Sequence, residues 1–318
     1  RMINSMYRGG PDGNGFYYSQ ENGYALGHRR LSVIDMSDAA SQPMSYSHER
    51  FHITYNGEIY NYVELREELV GLGCIFTTHS DTEVILAAYT QWGESMLSRF
   101  RGMFAFIIAD NQTKQLFVAR DHLGIKPLYM GKRAGAFYFA SEIKAFLSVN
   151  ENWKPNPDWK IWFLTFGFLP AQITTLENVW SVSPGTYVKF DLTNHSYTEN
   201  QWFHIEETNS ETIGEDGKIE KLRILLKQSV RRHLVADVKV GVFLSGGMDS
   251  SILAALVAEE IPDGLHTLSL DFEDPYFSES VYQDLVSKQL NSSHKTYVVK
   301  KEEYVAAWDD IFKSLDQP

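Results

Sequence analysis

The chain has 318 residues, 43% hydrophobic and 14% aromatic, enough for two domains with substantial cores. A net charge of −12 and a pI near 5.3 argue against a duplex nucleic-acid surface, which needs clustered Lys and Arg; Arg29-Arg30 and Arg231-Arg232 are isolated pairs. The longest strongly apolar run, residues 103–109, is too short for a membrane span, and residues 1–5 hold no signal-peptide core, so the expected setting is cytoplasmic, without membrane or nucleic-acid partners.

Residues 23–34 alternate apolar and polar, and 51–55 read as a strand ending at Asn56-Gly57. An amphipathic helix is expected at 58–72, closed by Gly73. Ser80-Asp81-Thr82-Glu83 has the capping-box pattern, and the apolar face of Val84, Ile85, Ala88, Tyr89 and Trp92 follows it to Gly93. Runs 103–109 and 115–119 flank a hairpin turn, and Tyr129 and 137–140 flank a second. Asn156-Pro157 opens a helix to Gly167, and 187–191 pairs with 197–203. Antiparallel sheets with helices are therefore expected over 1–205, an α+β domain. A polar stretch, 206–217, reads as the linker.

Over 218–318 the pattern becomes helix 219–234, strand 238–244, helix 249–259, strand 265–272, helix 278–290, strand 295–299 and helix 302–315. Alternating strands and helices imply an α/β domain with a parallel sheet, which binds ligands at its strands' carboxyl ends. Ser245-Gly246-Gly247-Met248-Asp249-Ser250 falls at such an end. The glycines let the backbone approach an anion, the helix N–H groups point at it, and Ser245 and Ser250 add hydroxyls. An acid beside a phosphate is repelled unless a divalent cation intervenes, so Asp249 suggests magnesium.

In the first domain Arg30 can grip a carboxylate, Asp81 can pair with an ammonium, and Asn56 with the Gly57 N–H can supply oxyanion donors. Taken singly, each has a bland alternative: a solvated arginine, a helix cap and a simple Asn-Gly turn.

Together the pieces carry a resemblance. Residues 8–15, 27–35 (Gly-His-Arg-Arg-Leu-Ser-Val-Ile-Asp), 55–61 (Tyr-Asn-Gly-Glu-Ile-Tyr-Asn), 80–83, 120–129 and 141–144 resemble the class II, N-terminal-nucleophile glutaminase domain of glutamine-hydrolysing asparagine synthetases. The 245–250 loop resembles the pyrophosphate loop of ATP pyrophosphatases. With Leu268-Ser269-Leu270 and Phe277-Ser278-Glu279 it is similar to the same family's synthetase domain. The resemblance implies that Arg30, the backbone of Val33 and Ile34, Asn56, Gly57, Glu58 and Asp81 bind glutamine. It assigns ATP to Leu244, Ser245, Gly246, Gly247, Met248, Asp249, Ser250 and Leu270, with Mg at Asp249. The implied reaction is the family's: aspartate becomes β-aspartyl-AMP, and ammonia from glutamine displaces AMP. Glutamine and aspartate are the implied small-molecule partners, and a homodimer is kept open. Relatives with the same halves close β-lactam rings or amidate other carboxylates, and a non-catalytic binder is the rival class.

Three departures from the family pattern set further expectations. The chain starts at Arg1, downstream of where the nucleophilic cysteine belongs, and Cys74, the one cysteine, sits mid-chain as an expected core residue. Gly9 stands where the family's Arg-Gly-Pro-Asp turn has its arginine. The acid-bearing segment that completes adenylation is expected beyond Pro318, so the synthetase domain reads as incomplete and the chain, as it stands, as inactive.

Overall fold

In the computed structural model, which describes residues 1–149, 152–170, 172–206, 214–261 and 264–318, the chain divides into Arg1–Glu206 with Ser314–Pro318, and Glu207–Lys313. Most of the expected linker, at 207–213, lies outside the described residues. The first unit runs α1 (Met2–Ser5), β1 (Gly13–Ser19), β2 (Tyr24–Arg30), β3 (Met44–Tyr46), β4 (Phe51–Ile59), α2 (Tyr62–Gly71) and α3 (Asp81–Trp92). It continues through β5 (Gly102–Asp110), β6 (Gln115–Arg120), β7 (Tyr129–Arg133), β8 (Ala136–Ala140), α4 (Ile143–Leu147), α5 (Trp159–Phe166), β9 (Val179–Ser181), β10 (Thr186–Asp191) and β11 (Tyr197–Gln201).

Period-two alternation on β5 divides the core of this unit. Phe104, Phe106 and Ile108 face one cluster, with Val84, Ile85 and Ala88 of α3 and Leu65 and Leu69 of α2. Ala105, Ile107 and Ala109 face another, with Leu26 of β2 and Leu128 and Met130 near β7. The central sheet is antiparallel in the order β11-β10-β6-β5-β4-β3, and a second layer is formed by the β1-β2 hairpin and by β8-β7-β9. A third cluster packs Ile143 and Phe146 of α4 with Met2 against Tyr138 and Ala140 of β8 and Val179 of β9. Helices thus cover both outer faces of two sheet layers.

Strand β4 does not end at Asn56-Gly57; it stays in register with β5 as far as Ile59↔Gly102, and the helix expected from Glu58 starts at Tyr62. Glycine makes this continuation possible, since a Cβ at Gly57 would stand 2.2 Å from the Met103 carbonyl oxygen. Ser80 caps α3, its Oγ accepting the Thr82 N–H at 3.1 Å. Glu83 does not complete the capping box; its carboxylate takes the N–H groups of Thr77 (2.9 Å) and Thr78 (2.7 Å). Helix α5 starts at Trp159, after Asn156 Oδ1 accepts the Asp158 N–H at 3.0 Å, and Gly167 closes it in the left-handed conformation at φ 77°.

In the second unit α6 (Glu215–His233), β12 (Gly241–Phe243), α7 (Met248–Glu260), β13 (His266–Phe272), α8 (Ser280–Gln289) and β14 (Ser293–Val299) build a parallel sheet, β12-β13-β14. The strand expected over 238–244 is reduced to three residues because β13 begins at His266, opposite Gly241, and offers nothing earlier to pair with. The helix expected over 302–315 is two, α9 (Lys301–Ala306) and α10 (Trp308–Leu315).

The turn after β6 is held by Asp121, 1% exposed. Its Oδ1 accepts the N–H groups of Leu123 (3.1 Å) and Ile125 (2.9 Å), and its Oδ2 those of Phe104 (3.1 Å) and Lys126 (2.9 Å). Removing both acceptor oxygens, and with them all four hydrogen bonds, in Asp121→Ala strands the Phe104 donor in the core, and is expected to cost about 3 kcal/mol. Urea unfolding followed by tryptophan fluorescence measures this, and a loss below about 1 kcal/mol contradicts the clamp.

Candidate functional site

Backbone polarity along β4 creates the site. In an antiparallel pair each residue points its N–H and C=O to the same side. Phe104 spends both on Asp121, away from β4, its N–H at 3.1 Å and its carbonyl accepting the Asp121 N–H at 2.8 Å. Its partner across the ladder, Gly57, therefore points outward from the sheet, as do Tyr55 and Ile59. The Tyr55 N–H is taken by Gln42 Oε1 at 2.7 Å and the Ile59 N–H by Asp81 Oδ2 at 3.0 Å. β3 reaches only residues 51–53 of β4, so the Gly57 N–H between them meets no strand and opens into a cavity.

That cavity, of about 240 Å³, is lined by all seven residues that the family resemblance assigns to glutamine: Arg30, Val33, Ile34, Asn56, Gly57, Glu58 and Asp81. Asn56 also lines it, and its side-chain amide donates one long hydrogen bond, to Ser141 Oγ at 3.5 Å. Both residues expected to supply oxyanion donors thus line a space large enough for a small amino acid.

Two carboxylates stand at one side. Asp81 is buried, and its Oδ2 accepts the Tyr55 hydroxyl at 2.8 Å as well as the Ile59 N–H. Burial pushes its carboxyl above the usual range, opposed by those two hydrogen bonds. Glu58 keeps a buried Oε1 without a hydrogen-bond partner. Burial, then the charge of Asp81, raises it to about 7, with Lys126 pulling the other way. An unpaired buried acceptor of this kind suits an ammonium group.

Arg30 differs from the expected free fork. Its Nη1 donates to Ser37 O at 2.9 Å, and its Nη2 to Ile34 O at 3.4 Å and to Asp35 O. Three of its five N–H groups thus shape the 34–37 loop, which leaves two for a ligand. The same contacts occupy the Ile34 carbonyl, while the Val33 backbone lines the cavity without such a contact. His28, also in the lining, is lowered to about 4 by burial and then by Arg30, so it is neutral at pH 7.

Sequence reasoning had no role for Gln42, His28 or Lys126. Gln42 is 13 residues from the N–H it caps, and only the sheet brings it there. At the turn that departs from the family pattern, Gly10 is the glycine under constraint, since a Cβ there would stand 2.4 Å from the Arg29 carbonyl carbon. Gly9 instead lines the cavity. Cys74 is half-buried against the main core and is not part of the lining.

In the second unit the 245–250 loop closes on itself. Ser245 Oγ and Ser250 Oγ are 2.9 Å apart, and Ser251 Oγ donates to the Gly247 carbonyl at 2.7 Å. Gly246 has φ 84°, and a Cβ on it would lie 2.8 Å from that of Tyr282, so no other residue fits. Gly247 is the N-cap of α7, and no side chain caps this helix, which leaves first-turn N–H groups beside exposed Asp249 and Met248. Leu244 is buried and Leu270 exposed on the neighbouring strand. Among the described residues no three His, Cys, Asp or Glu side chains gather as a metal site.

Residues 1–203 match the family model for a glutamine amidotransferase domain, and residues 221–318 that for asparagine synthase. The chain is 37% identical over 322 residues to glutamine-hydrolyzing asparagine synthetase 1 of Bacillus subtilis, covering 100% of this chain and 49% of that protein. It is 34% identical over 333 residues to a putative glutamine-hydrolyzing asparagine synthetase of Mycobacterium tuberculosis, covering 100% and 51%. To asparagine synthetase B of Escherichia coli it is 37% identical over 253 residues, covering 79% and 40%. The chain thus spans about half the length of the curated relatives it matches.

The raised Glu58 carboxyl makes stability depend on pH. The folded state holds this proton more tightly than the unfolded one, so the fold loses stability as pH rises from 4.5 to about 7. Glu58→Gln removes the loss. Thermal unfolding should show the variant gaining on the order of 1–2 kcal/mol over the wild type between about pH 4 and pH 8, less than the full shift because the cavity is partly open to solvent. Parallel curves for the two proteins would contradict this.

Proposed function

We infer that this chain, which belongs to the glutamine amidotransferase family over residues 1–203, binds glutamine in the first unit's cavity and, as part of a longer protein, serves the synthesis of asparagine. The observation that carries the reading is the Gly57 N–H, left without an acceptor among the described residues between two satisfied neighbours and opening on a cavity with opposite charges in its wall. Glu58 and Asp81 take the α-ammonium, the two remaining N–H groups of Arg30 take the α-carboxylate, and Asn56 Nδ2 with Gly57 N–H faces the amide oxygen. Those last two donors stabilise the negative charge that develops when the amide carbon is attacked. Cys74 lies away from the cavity, so the residues assigned here bind and polarise the amide and do not attack it.

For the asparagine synthase segment we propose ATP at the 245–250 loop. The uncapped start of α7 and the two serines suit phosphate oxygens, with Leu244 and Leu270 beside them. Asp249 fits magnesium as one carboxylate ligand alongside the phosphates, an arrangement common for that ion. When bound, Mg-ATP would activate a carboxylate by adenylation; aspartate is the acceptor we favour, and ammonia released from glutamine would displace AMP. We place the domains at 1–205 and 218–318, with a linker at 206–217 that runs into the first turn of α6, and the protein in the cytoplasm, on small molecules rather than nucleic acid. A homodimer remains our suggestion for its assembly. No helix among the described residues is long and apolar enough to cross a membrane.

Titration calorimetry of the chain with glutamine tests the cavity. Arg30→Ala and Asp81→Asn should each weaken binding by about 2–5 kcal/mol, 30-fold or more, by removing one partner of a charged contact. Circular dichroism checks that the variants fold. Folded variants with wild-type affinity would sink the assignment. At the other site, Asp249→Asn should weaken ATP in the presence of magnesium about tenfold and leave ATP in EDTA unchanged; equal loss in both would rule out a magnesium ligand.

A further inference from the structure

The lysine at the end of the Asp121 turn has no role in the reading above. Its backbone is fixed at both ends: the Lys126 N–H donates to Asp121 Oδ2 at 2.9 Å, and its carbonyl accepts Arg120 Nε at 2.8 Å. The side chain lines the same cavity as Glu58, and among the described residues its ammonium makes no hydrogen bond or ion pair. In the same lining, Glu58 Oε1 is buried and unpartnered among the described residues. Two further cations line the cavity: Arg29, whose guanidinium lies 4.7 Å over the Tyr7 ring, and Arg30, which is turned onto the carbonyls of the 34–37 loop.

We propose that Lys126 is the internal counter-ion of the amino-acid pocket, compensating Glu58 while the pocket is empty and yielding it to the α-ammonium of an incoming ligand. The inference rests on the cavity taking an amino acid. A buried carboxylate is costly without a cation, and a flexible ammonium on a fixed backbone can supply one at long range without filling the space. The affinity of the pocket is therefore a difference between two cations competing for one carboxylate, which makes Lys126 a residue that sets the affinity for an α-ammonium. The titratable and charged groups around Glu58 are Asp81 from α3, Lys126 from the turn, Tyr55 and Tyr60 from its own strand end, and His28, Arg29 and Arg30 of the cavity lining. Of these Lys126 is the cation that acts on it, against burial and Asp81, which raise its carboxyl to about 7.

Two measurements on the intact chain test this. Carbon-13 carboxyl NMR of the ligand-free protein, with Glu58→Gln identifying the signal, follows the Glu58 titration. Its midpoint should rise by about one unit or more in Lys126→Met and stay in place in Lys126→Arg. Calorimetry with glutamine at about pH 8.5, where Glu58 is ionised in the wild type, should show about fivefold tighter binding to Lys126→Met, because the competing cation is gone. A midpoint indifferent to Lys126→Met overturns the proposal whatever the cavity binds. A shifted midpoint with unchanged glutamine affinity overturns the competition. If the wild type binds no glutamine, the amino-acid reading fails and the exchange of cations with it, while the NMR titration still reports separately whether the two side chains are coupled.

Discussion

The N–H groups on the outward side of β4 are the constraint on which the first unit's site depends. Their direction is set on the far side of the sheet, where Asp121 takes the N–H and C=O of Phe104 and so commits the opposite pair to face away from each other. Tyr55 and Ile59 are then satisfied by Gln42 and Asp81, two side chains from separate parts of the chain. Gly57 alone of the three points into open space, and the lack of a Cβ lets β5 pass close enough to hold it there. A donor built this way is oriented before any ligand arrives, the condition under which a backbone dipole stabilises developing charge best.

Charge in the cavity is arranged around the same strand. Asp81 is stabilised by scaffold hydrogen bonds and can be buried, whereas Glu58 lacks them and holds its proton up to about 7. His28 is held neutral by burial and by Arg30, so it adds no competing positive charge near neutrality. Arg30 spends most of its fork on the 34–37 loop and thereby ties the position of that wall to a cation of the cavity lining. One guanidinium thus serves scaffold and site together.

The second unit applies a different principle. Its loop offers unsatisfied N–H groups at a helix start, and its hydroxyls are preorganised by bonding to one another. Gly246 is required by its backbone angle and by the proximity of Tyr282, contributed by α8. The first unit orients a donor through sheet register and the second through a turn, and both leave the donor open by omitting a side chain.

The sequence by itself determined the fold class of both halves, the hairpins, the start of α3 at Ser80, and the motifs that now surround one cavity, because those signals are local periodicities and turn residues. It mistook Asn56-Gly57 for a strand end, since an Asn-Gly pair reads locally as a turn and only pairing to β5 keeps it extended. It read Glu83 as half of a capping box, whereas the neighbouring Thr77 and Thr78 offered N–H groups in better reach. It could not place Gln42, His28 or Lys126 in the site, nor find Arg30's fork turned to its own loop. Those facts belong to tertiary structure because they follow from the direction of backbone groups and from which side chains meet across the sheet, and neither is encoded in spacing along the chain.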